Sequence, residues 1–584
     1  MIVVGVSALY HDSACAVYVD GELVAAAHEE RFSRTRFDPS MPVRAFRSCL
    51  RRAGVGVHDV DLVGYYEQPR EKLARQLWTD LPRHVVGRPA ALLRLDASRP
   101  LREIRDLLGY DGPVEFVTHH EAHAASAFYC SGFPDAAVLV VDAVGEWSTT
   151  SLGRAGEDGV ELLEDVRFPH SLGLLYSALT SYLGFSVNSD EYKVMGLAPY
   201  GTPRFRDAMD ALVTEHEDGF TLDLGFFDFA DDRRMYTDAL VEALGVPPRN
   251  PGDDLTPVHE DLAASVQSLL ESLLLKQVDR LHRLVPVPRL CYAGGVALNC
   301  VANSVIRAKG PFREVFVQPA AGDAGSAIGA AALAAHRAGR RPTRERLVDV
   351  RLGAAEPAGA CRALLTGAGV PFTDLGGSDA RLADAVAGRL AGGAVVGWFQ
   401  GAAEFGPRAL GSRSILADPR DAAMRDRINA LVKKREAFRP FAPAVAAERA
   451  AEFFELDVPS PFMLETVQVV PGVELPAITH VDGSARVQTV DAAVDPRFHA
   501  LLTAFGDRTG YPVLLNTSFN MRGEPIVNTA GDALACFLRS DLDVLVLDDL
   551  VVDRADVPER LRRRLADVAP YRAPSISESV YTFF

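Results

Sequence analysis

The chain has 584 residues, 48% of them hydrophobic and 24% charged, with a formal net charge of −17. That length implies two large domains or three smaller ones, with cores that need no covalent staples, and the acidic balance argues against non-specific nucleic-acid binding. The seven cysteines are scattered with no CxxC pair, which excludes a zinc ribbon, a redox dithiol or a disulfide framework and fits a reducing cytoplasm.

The N-terminus, MIVVGVSALYHDS, has no basic n-region, so no signal peptide is expected; no run of 18 uncharged apolar residues marks a membrane span. IVVGVS reads as a strand. ACAVYVDGELVAAAHEE reads as a strand pair turning at Asp20-Gly21, with Ala8–Ser13 as a polar tip between. A second strand–turn–strand unit is predicted from Ala136 to Asp142 and on through AVGEWSTTSLGR. An apolar strand that ends in an acid before a glycine-bearing turn recurs in actin-like ATPase folds. Apolar spacing of i, i+3, i+4, i+7 predicts a long helix over 257–285. Strands are predicted at Arg289–Tyr292, running into Gly294-Gly295, and at Glu314–Gln318, running into PAAGDAGS and a small-residue helix. The charged, Pro- and Gly-bearing stretch 337–356 reads as the domain boundary. Beyond it strands and helices alternate to about residue 555, no fixed-period repeat is visible, and the tail APYRAPSISESVYTFF reads as a docked arm or a frayed end.

Five segments carry chemistry. In HHEAHAASA (119–127) the alanines favour helix. His119 and His123 then share a face, as two imidazoles gripping one metal require, with His120 and His123 as an alternative pair. Asp142 and Asp323 each end an apolar strand, and a His₂Asp₂ site suits iron, manganese or zinc. In EFGPRALGSRS (404–414), small residues and arginines can form a phosphate-binding turn, with a solvated turn as the alternative. KKREAFRPF (433–441) interleaves charge with Phe and Pro, as a partly buried site does; Lys433 and Lys434 are two of only six lysines. With DGSARVQ (482–488) and LNTSFNMRGEP (515–525), these segments read as a polyanion site that fits a triphosphate, and no P-loop is present.

Together the motifs resemble the NodU/CmcH family of O-carbamoyltransferases. The segments HDSACAVYVDGELVAAAHEERFSR, THHEAHAASAFY, PHSLGLLYSALTSYLGF, EYKVMGLAPYG, AGGVALNCVAN, PAAGDAGSAIGAA, EFGPRALGSRSILADPRD, FRPFAPAV, HVDGSARVQTV and LLNTSFNMRGEPIV match in order across residues 5 to about 550. The resemblance implies an α/β and α+β protein: an actin-like (ASKHA) ATPase N-terminal domain over 1–345 and a YrdC-like C-terminal domain over 346–584. It implies that the C-terminal domain makes carbamoyl-adenylate from carbamoyl phosphate and Mg-ATP. The N-terminal domain holds that adenylate at a divalent metal, iron or else manganese or zinc, and passes the carbamoyl group to a small-molecule hydroxyl.

Carried over by motif, His119, His123, Asp142 and Asp323 correspond to metal ligands, and Asp142, Gly173, Gly295, Asn299 and Asp323 to the adenylate site. His11 corresponds to the base that takes the acceptor's proton, a role a near-neutral histidine suits, with Asp12 and Arg36 on the acceptor side. Arg408, Lys433, Arg439, Arg486, Asn516 and Ser518 correspond to the ATP and carbamoyl-phosphate site, with Lys433 and Arg486 catalytic, since joining two anions needs fixed cations. Two departures stand out. Ala143 replaces a usual glycine after Asp142, a turn expected to survive. Arg36-Phe37 stands where relatives often carry Lys-His, which favours a more apolar acceptor, such as a macrolide or other polyketide, over a polycationic aminoglycoside. The enzyme is expected in the cytoplasm, with no nucleic-acid or membrane partner. The alternatives fit less well. A tRNA threonylcarbamoyl-adenosine synthase-like fusion conflicts with the acidic charge, a hydrogenase-maturation carbamoyltransferase with the missing zinc CxxC pairs, and a non-catalytic actin-like protein with the basic C-terminal set.

Overall fold

The computed structural model describes residues 1–79, 95–217, 219–229, 234–433, 436 and 438–561, with the main chain alone for Lys433. The C-terminal tail motif and the side chain of Lys433 therefore lie outside the described residues. The protein is mixed α/β, and it divides into two compact units. Among the described residues, one is built from Met1–Glu29 and Phe37–Leu347, the other from Glu30–Arg36 and residues 348–561.

The first unit holds two five-stranded sheets. In the first, β1 (Ile2–Ser7), β2 (Ala14–Val19) and β3 (Glu22–His28) run antiparallel in turn. Asp20 (φ 50°) and Gly21 (φ 94°) form the tight turn between the last two. β4 (Leu62–Tyr65) then adds parallel to β1, and β5 (Val114–Phe116) parallel to β4. Helix α1 (His119–Ser131) follows.

The second sheet repeats this plan. β6 (Ala136–Val141), β7 (Ser148–Gly156) and β8 (Gly159–Arg167) are antiparallel. After α2 (Leu172–Tyr182), a hairpin of β9 (Val213–His216) and β10 (Gly219–Leu222), and the long α3 (Pro257–Leu284), β11 (Arg289–Ala293) adds parallel to β6 and β12 (Glu314–Val317) parallel to β11. Helix α4 (Asp323–Arg337) follows. The strand orders, β3-β2-β1-β4-β5 and β8-β7-β6-β11-β12, are the same. The fold is thus internally duplicated although the sequence shows no repeat.

The two equivalent helices, α1 and α4, pack on each other, α1 also against β6 and β11 and α4 against β1, β2 and β4. Small residues permit the close approach. A Cβ on Gly329 would lie 1.7 Å from the Ala122 carbonyl oxygen, and one on Gly5 1.8 Å from that of Ala327. Both helices therefore present their N-termini at a fixed, shared location.

The second unit is built on an eight-stranded sheet of order β13-β22-β21-β14-β15-β20-β16-β19. Its strands are β13 (Thr373–Asp374), β14 (Val396–Phe399), β15 (Arg413–Ala417), β16 (Ala442–Ala446), β19 (Gln488–Val490), β20 (Val513–Ser518), β21 (Val544–Leu547) and β22 (Leu550–Asp553). A two-stranded ribbon of β17 (Val467–Gln468) and β18 (Ser484–Ala485) lies outside it. Alternation along the strands fills both faces. Val396, Trp398, Leu514, Val544 and Val546 pack with α5 (Asp379–Ala391) and α6 (Pro496–Thr509), while Phe399, Val513, Leu515 and Leu545 enter the opposite core. No helix among the described residues is long and apolar enough to cross a membrane.

Candidate active site and metal centre

The Ala-rich segment is helical, as its composition predicts. Thr118 and Glu121 close a capping box at its start, and Gly132 (φ 75°) ends it. His119 is its first residue and Asp323 is the first residue of α4. Asp142 follows β6, the first strand of the second repeat, just as the loop that bears His11 follows β1. Equivalent positions of the two repeats thus supply the site, which explains how residues so far apart in the chain converge.

The donor atoms of His119, His123, Asp142 and Asp323 all lie within 4.8 Å of one another, and all four residues are buried. His119 Nε2 is 3.0 Å from Asp142 Oδ2 and 3.1 Å from His123 Nε2. Asp323 Oδ1 is 3.6 Å from His119 Nε2 and 3.7 Å from that of His123. Ligands about 2.0–2.2 Å from one metal stand roughly 3–3.5 Å apart, and a nitrogen–oxygen set suits a first-row divalent ion. A supporting contact occupies one oxygen of Asp142 and leaves the other for the centre. Asp142 Oδ1 accepts the Gly295 N–H at 2.9 Å, and Asp323 Oδ2 is buried with no hydrogen-bond partner. Ser326 Oγ lies 3.2 Å from His123 Nδ1 and orients the ring. Of the two histidine pairs the spacing allowed, the structure selects His119 with His123. His120 Nδ1 instead meets Ser151 Oγ at 2.7 Å, and burial with its histidine neighbour pushes its pKa well down.

Charge inside the cluster is balanced locally. Burial disfavours a charged His123, but its hydrogen bonds to Asp142 and Asp323 outweigh that and push it up to about 9. Burial would raise Asp142, yet hydrogen bonds from His119 and His123 hold it well below the usual carboxylate range.

The other expected residues of this unit line the same neighbourhood. A Cβ on Gly173 would stand 2.6 Å from the Asp142 carbonyl oxygen, so α2 begins hard against the Asp142–Ala143 turn. That turn survives the alanine: Asp142 N–H donates to Thr149 O at 2.9 Å and Gly145 N–H to Ser148 O at 2.8 Å. Asn299 caps the helix Cys300–Lys309 and exchanges hydrogen bonds with Gln267, which also accepts from Tyr176.

His11 Nδ1 is 3.2 Å from Asp12, its Nε2 is 3.1 Å from Asn188 O, and its ring stacks on Phe37 at 4.8 Å. Burial lowers its pKa, but Asp12 first, then Asp323 and Glu191, push it up to about 9. These surroundings therefore favour the imidazolium over the near-neutral base expected from residue type. Leu9, Asp12, Phe37 and Asn188 all have positive φ, four of the eight non-glycine residues that do so among the described residues. Such strain persists only where surrounding contacts over-determine it: Leu9 N–H donates to Pro39 O and Ser13 N–H to Asp38 O.

In the second unit, strand register gathers the basic motifs at one end of the sheet. Ala442 at the start of β16 pairs with Asn516, Ser414, second in β15, pairs with Ser518, and Ala444 pairs with Gln488, two residues after Arg486. Asn516 Nδ2 donates to Gln488 Oε1 at 2.8 Å and Ala409 O at 3.2 Å, and its Oδ1 is buried with no hydrogen-bond partner. The Nε of Arg486 is buried likewise. Ser518 donates to Asn520, and Arg439 lies 3.6 Å from Glu436. Arg408 sits on the loop that Glu404 Oε1 braces by accepting Leu410, Ser412 and Arg413 N–H. Arg413, in the same motif, faces inward. Its guanidinium donates to the carbonyls of Gln400 and Gly401, covers Phe399 at 3.6 Å, and is lowered by burial to about 10.

Several contributors escaped the motif reading. Glu146 accepts the His119 and Gln68 N–H groups, and Ser171 donates to the Asp142 and Ala143 carbonyls while capping α2. Arg36 closes the short segment Glu30–Arg36, in which Arg31 donates to Gly406 O at 2.8 Å and Arg34 to Ile526 O at 2.7 Å and Pro525 O at 2.9 Å. A serine before a Leu-Gly helix start was a legible cap signal. Glu146, Arg31 and Arg34 carried none, because their partners are main-chain atoms distant in sequence.

Comparison with known proteins identifies the family. The family described as "Carbamoyltransferase N-terminus" matches residues 2–94 and 102–332, and "Carbamoyltransferase C-terminus" matches residues 387–554. The chain is 43% identical to uncharacterized protein sll1178 of Synechocystis, over 96% of this chain and 97% of that one. It is 40% identical to nodulation protein NolNO of Sinorhizobium fredii, over 96% and 82%. To a 3'-hydroxymethylcephem-O-carbamoyltransferase of Streptomyces clavuligerus it is 29% identical over 92% and 96%. Among solved structures, component A of the Acidaminococcus fermentans (R)-2-hydroxyglutaryl-CoA dehydratase aligns at 14% identity and TM-score 0.31, over 58% of this chain and 99% of that one. With both halves matched and relatives aligned end to end, the chain belongs to the carbamoyltransferase family of the NodU/CmcH type and is a carbamoyltransferase.

Proposed function

We propose that the chain is a cytoplasmic ATP-dependent O-carbamoyltransferase working in two steps. An actin-like domain over 1–345 performs the transfer, and a YrdC-like domain over 346–584 performs the activation. The duplicated strand order of the first unit supports the actin-like reading, and the basic loops at one sheet end support an anion-activating second unit. The observation that carries the reading is the convergence of His119, His123, Asp142 and Asp323.

In activation, water hydrolyses carbamoyl phosphate to carbamate and inorganic phosphate, and the carbamate oxygen attacks the α-phosphorus of ATP as pyrophosphate leaves. Carbamate and ATP are both anionic. Arg408, Lys433, Arg439 and Arg486 offset that repulsion, while Asn516 and Ser518 orient the nucleotide. In transfer, the acceptor oxygen bonds to the carbamoyl carbon. The carbon–oxygen bond to the adenylate phosphate breaks, and AMP leaves with the electron pair. The acceptor's proton passes to His11 in its neutral form, with Asp12 holding the ring. Gly173, Gly295 and Asn299 place the adenylate. The four-residue cluster would hold iron, manganese or zinc, and such an ion would supply a Lewis acid to polarise the carbamoyl carbonyl or screen the phosphate.

The acceptor is a natural-product hydroxyl on a sugar, polyketide or macrolide, as in antibiotic biosynthesis. Phe37, stacked on His11, gives the transfer site an apolar face, with Arg36 next in sequence. The test is mass spectrometry of glycosylated natural products incubated with enzyme, ATP and carbamoyl phosphate, seeking the gain of one carbamoyl group. Carbamoylation of macrolide or polyketide glycosides is expected. Carbamoylation of aminoglycosides alone would refute the acceptor class. Absence of carbamoyl-phosphate-dependent ATP–pyrophosphate exchange would refute the mechanism.

A further inference from the structure

We infer that Tyr66 is a catalytic residue of the transfer step: its phenol donates a hydrogen bond to the carbonyl oxygen of the carbamoyl group. The inference rests on the proposal that transfer takes place at the His–Asp cluster.

Tyr66 is completely buried, yet its hydroxyl has no hydrogen-bond partner. Its neighbour Tyr65 is equally buried and does have one, donating to Ala8 O at 2.8 Å. A buried hydroxyl left unsatisfied costs folding free energy that phenylalanine would not, so an orphan of this kind calls for a partner from outside the chain, whether water, ion or ligand.

The location supplies one. The Tyr66 ring stands edge-on to the ring of the ligand His119, with centroids 5.2 Å apart. Glu67, Asp323, Tyr65 and Tyr10 are the titratable groups that act on it. Glu67 is already engaged, since both its oxygens accept from Lys72 Nζ at 2.9 Å. The duplication places the residue independently. Tyr66 directly follows β4, as Gly294 directly follows β11, and these are the equivalent strands of the two repeats. On the second repeat's side that lip carries Gly295, whose N–H holds Asp142. On the first repeat's side it carries a phenol.

As the acceptor oxygen bonds to the carbamoyl carbon, the carbonyl oxygen gains negative charge. That charge is returned when the bond to the adenylate phosphate breaks and AMP departs. A fixed donor aimed at that oxygen lowers the barrier without itself losing a proton.

The test is Tyr66→Phe in the full-length chain. It measures metal per chain, thermal midpoint, ATP–pyrophosphate exchange, and steady-state transfer from supplied carbamoyl-adenylate. The expected result is an unchanged or higher midpoint, unchanged metal content and exchange, and a kcat for transfer lower by about 10²-fold with the acceptor KM within about twofold. Wild-type kcat, a raised KM with kcat kept, or a fall in kcat that tracks metal loss, a lower midpoint or misfolding would each overturn the assignment. Wild-type protein that transfers nothing from supplied carbamoyl-adenylate would instead refute the parent reading, and the Tyr66 role with it.

Discussion

His11 shows how a single residue is tuned by its surroundings. Its ordinary value is 6.5, and the carboxylates of Asp12, Asp323 and Glu191 lift it to about 9 against the opposing effect of burial. The folded state therefore favours the imidazolium. The resulting stability is fully present below pH 6.5 and is lost as pH rises through about 9. The proposed transfer needs the neutral ring, so activity has the opposite dependence: kcat/KM for the acceptor rises with pH along a limb between 6.5 and about 9. A cation on the cluster offsets Asp323 and moves that limb down within the interval, but leaves Asp12 in place. Asp12→Asn removes the leading upward cause. Asn tolerates the φ of 47° at this position at least as well as Asp. The variant's limb should fall by about one pH unit or more in a pH profile of kcat/KM. An unmoved limb would show that another group titrates. The motif suggested a role for His11 but not its charge, because two of the three acids that set the charge, Asp323 and Glu191, come from other segments.

At the scale of elements, the loop at 404–413 shows how a basic motif divides its labour. Arg408 and Arg413 read alike in sequence, as arginines in a small-residue turn. In the fold Arg413 is spent on main-chain carbonyls and Glu404 ties down three N–H groups, so the pair forms a frame for Arg408. Arg31 completes the frame through Gly406 O, and Arg34 fixes the loop at 525–526. Arg31→Ala should therefore lower carbamoyl-phosphate-dependent ATP–pyrophosphate exchange by about tenfold to a hundredfold, as misplacement of a phosphate-binding loop does. Transfer from supplied carbamoyl-adenylate should be unaffected. Unchanged exchange would reduce Arg31 to a packing residue. Nothing in ERFSRTR announces this role, since its partners are backbone atoms of loops more than 370 residues away. The hairpin at Asp20-Gly21, the 257–284 helix and the His119/His123 pair were legible because each depends on spacing within a few residues. The duplication was not, because the repeats share strand order and polarity, which many sequences encode.

The whole molecule pairs two compact units, and each carries one kind of chemistry: a cluster of carboxylates and imidazoles in the first, a cationic loop set in the second. If they perform separate steps, damage to one must spare the other. Arg486 has a buried Nε without a hydrogen-bond partner in the second unit, and His123 has a fully buried ring in the cluster of the first. Arg486→Ala should abolish ATP–pyrophosphate exchange and leave transfer from supplied carbamoyl-adenylate within about twofold of wild type, because the joining of two anions that it assists is already complete once the adenylate exists. His123→Ala should do the reverse: exchange persists while transfer falls by about 10³-fold or more, along with the bound metal. Chelation of the wild-type protein should reproduce the His123→Ala pattern and also lower the thermal midpoint, because it leaves buried carboxylates and imidazoles facing one another without the ion that ties them. Loss of both activities in either variant, with folding and the partner unit's ligand binding intact, would show that the two sites act as one and would remove the division of labour on which the two-step proposal stands.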